Sequence, residues 1–341
     1  LTKTLLQQKQ ARINGKKGLV LMNRKALALV LIFALLFSAV GSVQLVTVAT
    51  ADPLVFLPYI TIKSDGSIEP QTGLIKQEGN VYTLTRDLVR NYSININCSN
   101  IIFDAEGHSI DGAGYANAGL ALNNVNNVIV KNVTVFGFEG TNIAFRECSQ
   151  CSLLKANTDF LFVEGGIENE IADNIVGELD LEATGKNTII RNNITDMLFV
   201  EKSNDNLLTR NSIYSIFFRD NTDGNVFWAN NFWCGKIGPS ANFFEFVGTN
   251  FWDNGSVGNY WSDYNGSDLN MDGIGDAPYS IDNKAVEIVI AQDNYPLMAP
   301  YDIEHDTIVL PHTKLFIALI VVAIAVLVGV GLLVYFKKRK P

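Results

Sequence analysis

The chain has 341 residues, 48% hydrophobic and only 18% charged, enough for one large elongated domain or two ordinary ones with a sizeable core. All 35 Asp and Glu lie between Asp52 and Asp306 with only 14 of the 26 Lys and Arg, so this middle carries −21 and the two ends together +12. A middle this acidic has no basic footprint to neutralise phosphates, which excludes nucleic acid as a partner.

Taken in chain order, the first element is a secretory signal. Met22-Asn23-Arg24-Lys25 is basic, an apolar run follows from Ala26 to Val43, and Ala49-Thr50-Ala51 supplies small residues at cleavage spacing. Residues 1–51 are therefore read as a signal-peptide region starting at Met22, and 52–99 as an N-terminal cap.

Between 100 and 234 the sequence repeats. Asn169, Asn187, Asn206 and Asn225 each begin an Asn-x-φ-x-x-Asn-x-φ segment, with φ apolar and starts 18, 19 and 19 residues apart. Looser copies lie around 127–132 and 152–157. Apolar residues alternate at spacing two, and Asn and Gly fall where helices break, so each copy is two or three short strands with polar corners. Such copies cannot bury their apolar faces singly, and they do so by stacking as parallel strands. The fold class expected is all-β, a right-handed parallel β-helix, with an N-terminal signal helix and one C-terminal transmembrane helix.

Two interior stacks follow from this register, Ile171-Ile189-Leu208-Phe227 and Val176-Ile194-Ile213-Phe232. Asn174, Asn192, Asn211 and Asn230 are expected to form an amide ladder at a corner that tolerates the left-handed conformation. Asn157 and Asn132 are read as earlier members. Asn132 would then be unable to carry a glycan despite its Asn-x-Thr sequon, whereas the sequon at Asn193 faces outward.

Residues 235–300 form a closing module and 301–314 a juxtamembrane linker. The run from Leu315 to Phe336 has 22 uncharged residues, long enough to cross about 30 Å of hydrocarbon. Lys337-Lys338-Arg339-Lys340 follows within the tail 337–341, a cytoplasmic stop. The ectodomain is expected outside the cell, held in the membrane through Leu315 to Phe336.

Particular segments resemble a known family. They are 59–68 and 80–85, the Ile101-to-Gly112 segment with Gly107-His108-Ser109-Ile110-Asp111-Gly112, and three in the closing module. Those three are Asn259-Tyr260-Trp261-Ser262-Asp263-Tyr264, Asp272-Gly273-Ile274-Gly275-Asp276 and Tyr295-Pro296-Leu297-Met298. Together they resemble the NosD-like right-handed β-helix proteins of the pectin-lyase superfold, especially archaeal cell-surface members with a C-terminal anchor. The resemblance covers about residues 55–300. It implies a carbohydrate-binding or sugar-hydrolase-like character, and more narrowly copper delivery to nitrous oxide reductase.

The residues test these implications unequally. Copper needs soft or imidazole ligands, and the three His and four Met form no cluster. Cys148-Ser149-Gln150-Cys151, with Cys98 and Cys234, reads as structural disulfide pairing, with the connectivity left open. Asn157-Thr158-Asp159 matches one motif of galacturonan hydrolases, but the partner motifs are missing, and glycosidic hydrolysis needs two carboxyls. For a lyase, Asp159, Glu164, Glu178, Asp180 and Glu182 supply acidity, and Arg191 or Arg210 is the candidate base.

A binding face is the stronger expectation. Alternation turns Glu178, Asp180 and Glu182 outward, and the same register turns out Phe160, Phe162, Leu198 and Phe217. Such a row stacks sugar rings or docks an envelope protein, unless segment 235–300 folds back over it. The partners expected are therefore surface glycans or envelope proteins. Finally, Asp268, Asn270, Asp272, the Ile274 carbonyl and Asp276 stand at positions 1, 3, 5, 7 and 9 of a calcium-type loop, with Gly273 at the sharp turn. Tyr279 stands at position 12 in place of a bidentate Glu, so a structural calcium would bind with one strong ligand missing.

Overall fold

The computed structural model describes residues 59–90, 92–115, 118–233, 248–283, 288–310, 326 and 328. The expected signal (1–51), most of the apolar run 315–336 and the basic tail lie outside these residues. Among the described residues, no helix is long and apolar enough to cross a membrane. What is described is a right-handed parallel β-solenoid of about eight turns with almost no helix.

Two long sheets wrap one core. A nine-stranded sheet stacks Phe103, Val130, Leu153, Ile171, Ile189, Leu208 and Phe227 in register, all fully buried. The fourteen-stranded sheet contains the four longest strands, Asn157–Glu164, Ile175–Glu182, Asn193–Glu201 and Ser212–Arg219. Their inward side chains make the Val176-Ile194-Ile213-Phe232 stack, then Leu161-Leu179-Leu198-Ile216 and Val163-Leu181-Val200-Phe218. Both stacks expected from the repeat are thus present, and apolar burial along them is the main favourable term.

The corners hold two asparagine ladders where one was expected. At the first, the backbone N–H of Asn169 donates to Asn187 Oδ1 at 2.9 Å, and Asn187, Asn206 and Asn225 continue the pattern to Asn250. At the second, Asn174, Asn192, Asn211, Asn230 and Asn259 do the same, and each Nδ2 donates to a carbonyl of the preceding rung. The left-handed residue is the one before each amide (Asp173, Arg191, Arg210 and Ala229), so the Asn itself keeps ordinary backbone angles.

This geometry corrects the assignment of Asn132 and Asn157. Ala156, not Asn157, donates its N–H to Asn174 Oδ1 at 2.7 Å. Asn157 is one position on, paired with Ile175 and exposed. Asn132 occupies the left-handed position itself, φ 56°, and its Nδ2 donates to Asp104 at 3.0 Å. The early rungs lack the full Asn-x-φ-x-x-Asn signature, and so their register slipped by one.

The cysteines also differ from expectation. Cys98, Cys148 and Cys151 are buried free thiols, while Cys234 lies outside the described residues. The Cys148 thiol donates to the Arg146 carbonyl at 3.3 Å and the Cys151 thiol to the Ser149 carbonyl at 3.5 Å, and the neighbouring Cys148 together with burial pushes the Cys151 thiol up. The Cys98 thiol lies near the carbonyls of Ser64 and Ser99, and no cysteine among the described residues is bridged to it.

Aromatic stacking closes the far end. Trp252 stacks on Phe227 at 4.5 Å, Trp261 on Phe232 at 4.5 Å, and Tyr279 on Trp261 at 4.4 Å. Residues 301–310, the described part of the expected linker 301–314, make contacts with the solenoid. Tyr301 N–H donates to Asn231 Oδ1 at 2.7 Å, Asn231 Nδ2 returns a bond to the Tyr301 carbonyl at 3.0 Å, and Arg210 pairs with Asp306.

Candidate functional site

The outward face of the four long strands carries three parallel rows. The central one runs Phe162, Asp180, Phe199, Phe217; one flank runs Phe160, Glu178, Met197, Ser215; the other runs Glu164, Glu182, Glu201, Arg219. These positions project outward because their neighbours along each strand are the leucines, valines and isoleucines of the core. Phe160, Phe162, Phe199 and Phe217 are half-buried, with Phe199 and Phe217 ring centroids 5.6 Å apart. The Arg219 guanidinium lies 4.2 Å over the Phe199 ring and 3.8 Å from Glu201.

Leu198 does not belong to this face; it is fully buried. The strand Asn193–Glu201 has one residue more than its neighbours, and the register shifts between Ile194 and Met197. That extra residue turns Leu198 inward, in register with Ile216, and turns Phe199 outward beside Phe217. Phe199 and Met197 are the site residues the sequence reading missed. The signal was present as a spacing of four between Ile194 and Leu198 where the rung before has three between Val176 and Leu179.

Asp180 is the chemically distinctive group. It sits in register between Phe162 and Phe199, and its Oδ1 is sealed from solvent with no hydrogen-bond partner. Burial, then the charges of Glu182, Glu201 and Glu178, push its carboxyl up to about 6 against the pull of Arg219. Burial and Asp196 likewise raise Glu178. The face thus offers a carboxyl that holds its proton to about pH 6, beside carboxylates and aromatic rings.

The other catalytic candidates do not converge here. Asp159 lies on the adjoining face, exposed and in the row of Phe136 and Gly177. Arg191 is at a corner, tied to Asp173 by two bonds of 2.7 and 2.8 Å, which makes it a structural ion pair and a poor proton acceptor. Toward the N-terminal end the central row shrinks to Ala144 and Ala121, leaving an open hollow of about 370 Å³ bordered by Tyr59, Asn95, Thr141 and Arg146.

In the closing module, the calcium-type loop turns its polar side chains onto its own backbone. Asp268 accepts N–H from Asp272 and Gly273, Asn270 accepts from Asp272, and Asp272 accepts from Ile274. Asp276 Oδ2 accepts from Ser267 Oγ and Leu269 N–H. Oxygens at positions 1, 3 and 5 are therefore gathered by the turn, while Asp276 Oδ2 is engaged by Ser267 and Leu269. No three His, Cys, Asp or Glu among the described residues gather closely enough to hold a metal alone. His108 bonds to Asp87 at 3.2 Å, a surface pair.

The fold places the chain among parallel β-solenoid proteins. No protein-family model matches the chain, and no curated protein matches it.

Proposed function

We propose that this chain is a membrane-anchored cell-surface β-helix protein whose long-strand face binds a glycan or a neighbouring envelope protein. The observation that carries this reading is the half-exposed row Phe162-Asp180-Phe199-Phe217 on a flat parallel face. The adjacent rings of Phe199 and Phe217, 5.6 Å apart, with Phe162 two rungs away, offer apolar faces to a chain of sugar rings, and flanking carboxylates hydrogen-bond hydroxyl groups. The resemblance to NosD-like proteins supports the carbohydrate character, and the basic-apolar-small start and the run from Leu315 to Phe336 support the anchored, exported location. Glu178, Glu182 and Glu201 favour neutral glycans over acidic ones.

A polysaccharide hydrolase or lyase is the second reading, favoured by the raised Asp180 carboxyl with Glu178 and Glu182 on the same strand. Copper delivery receives no support from the ligand chemistry of the described residues. Calcium is proposed as a structural ion of the Asp268-to-Asp276 loop.

The test uses the full chain in lipid nanodiscs against immobilised neutral and acidic polysaccharides. Retention abolished by Phe199→Ala with Phe217→Ala, without released product, supports binding. Product formation lost in Asp180→Asn establishes the enzyme instead. No retention and no product on any polysaccharide sinks both.

A further inference from the structure

The most exposed large apolar side chains among the described residues are Leu269 at 82% and Met271 at 60%. They stand on one turn, alternating with Asp268, Asn270 and Asp272. The polar members bend inward to accept backbone N–H groups, so the alternation drives Leu269 and Met271 outward together. Two neighbouring apolar side chains held out by a loop whose polar groups bond to their own backbone make a small apolar tip on a polar turn.

The position of this turn says what meets it. Gly273 lies against the end of segment 288–310: a side-chain carbon there would come within 2.7 Å of Ile308 Cγ2 and 3.3 Å of Leu310 Cδ2. The Gly273 carbonyl also accepts the Met298 N–H at 3.0 Å, three residues before Tyr301 of the docked segment. Leu315, the first residue of the uncharged run, is five residues beyond Leu310, a reach of at most about 18 Å.

From this juxtaposition we propose that the Leu269-Met271 turn inserts into the bilayer interface beside the anchor, as a second, non-spanning point of membrane contact. The inference rests on the anchored reading of residues 315–336. The partner is the boundary between headgroups and acyl chains, which accepts apolar tips from a polar loop. The turn would hold the solenoid's C-terminal end down on the membrane, leaving the long-strand face oriented by two contacts and not swivelling on one.

The experiment places the full chain in phosphatidylcholine vesicles, with and without lipids brominated at shallow acyl positions. The wild type contains four Trp, whose emission is subtracted. The emission added by Leu269→Trp should be blue-shifted and quenched at least threefold more by the brominated lipid than that added by Tyr214→Trp, a side chain exposed on the solenoid flank. Met271→Trp should behave as Leu269→Trp does, and serves if either variant folds poorly. A water-like, unquenched signal from both variants overturns the proposal. So does a blue shift without quenching, which would mean protein contact such as a second copy. Carbonate extraction separates the premises: a wild-type chain that washes off removes the anchor itself, whereas one that stays while 269 and 271 remain unquenched removes only the insertion.

Discussion

The buried carboxylate of Asp293 accepts the backbone N–H of Asn259 at 2.7 Å, in the place where the next amide of the second ladder would stand. The same Oδ2 also accepts Trp261 Nε1–H at 2.9 Å, and Oδ1 accepts Tyr295 N–H at 3.1 Å. The ladder therefore ends on a charge-bearing group, one that also ties the aromatic plug to the last rung.

That ending makes stability depend on pH. Burial pushes Asp293 up to about 7 from an ordinary 3.8, against the N–H donors of Trp261, Asn259 and Tyr295. A folded-state value above the unfolded one means the folded chain holds the extra proton. This contribution is full below about pH 3.8 and is lost as pH rises to about 7. The loss amounts to roughly 4 kcal/mol over the window at about 1.4 kcal/mol per unit. Urea titrations from pH 4 to 8 should show the wild type losing stability relative to Asp293→Asn, which does not titrate. Parallel curves for the two chains would refute the assignment.

The ladders themselves are open to deletion. Asn192 and Asn211 each accept two bonds at Oδ1 and donate through Nδ2 while fully buried. Asn192→Ala and Asn211→Ala should each cost about 1–3 kcal/mol, because the neighbouring N–H groups stay buried and unpaired. Asn187→Ala tests the first ladder in the same way. Asn193→Ala and Asn157→Ala, one position off, should stay within about 0.5 kcal/mol of wild type. Denaturant midpoints that do not separate the two groups would contradict the register.

Neighbouring residues on one strand should give opposite phenotypes. Leu198→Ala empties a core position and should cost about 2–5 kcal/mol, with glycan retention per folded molecule unchanged. Phe199→Ala should leave thermal stability nearly intact and weaken retention at least tenfold. Thermal melts alongside affinity chromatography read both, and a swap of the two phenotypes would place the bulge elsewhere.

Calcium binding to the Asp268-to-Asp276 loop should raise the melting temperature in millimolar calcium relative to chelator, through linkage to the folded state. Asp272→Ala should abolish the shift. Equal melting temperatures in the two buffers, or a shift that survives the substitution, would leave the loop a metal-free turn.

Where the repeat is strict, the solenoid is legible residue by residue: Ile171, Ile189, Leu208 and Phe227 are stacked as their spacing requires. The pattern is readable there because side-chain direction alternates with period two and each rung has nearly the same length. It fails at Leu198, where one inserted residue reverses every side chain until the next corner. It fails again at Asn157, because Ala156 fills the ladder slot with a methyl group, and at Asn132, which stands at the left-handed corner position itself. Asp180 was visible as an outward acid, but its slot between Phe162 and Phe199 depends on two other rungs and cannot be read from its own strand. The docking of 301–310 was illegible for a similar reason: Asp306 finds Arg210 across 96 residues of sequence.

That last contact has a mechanical consequence. Arg210 and Asn231 belong to successive rungs, and they hold Asp306 and Tyr301 respectively, while the Tyr301 hydroxyl donates to Asp306 at 2.8 Å. A pull on the chain beyond residue 310 is therefore delivered to two rungs at once, through bonds that share the force. A strand end held only by its own ladder would open like a zipper, one bond after another. Tension applied from the C-terminal side must instead break this clasp before any rung can peel.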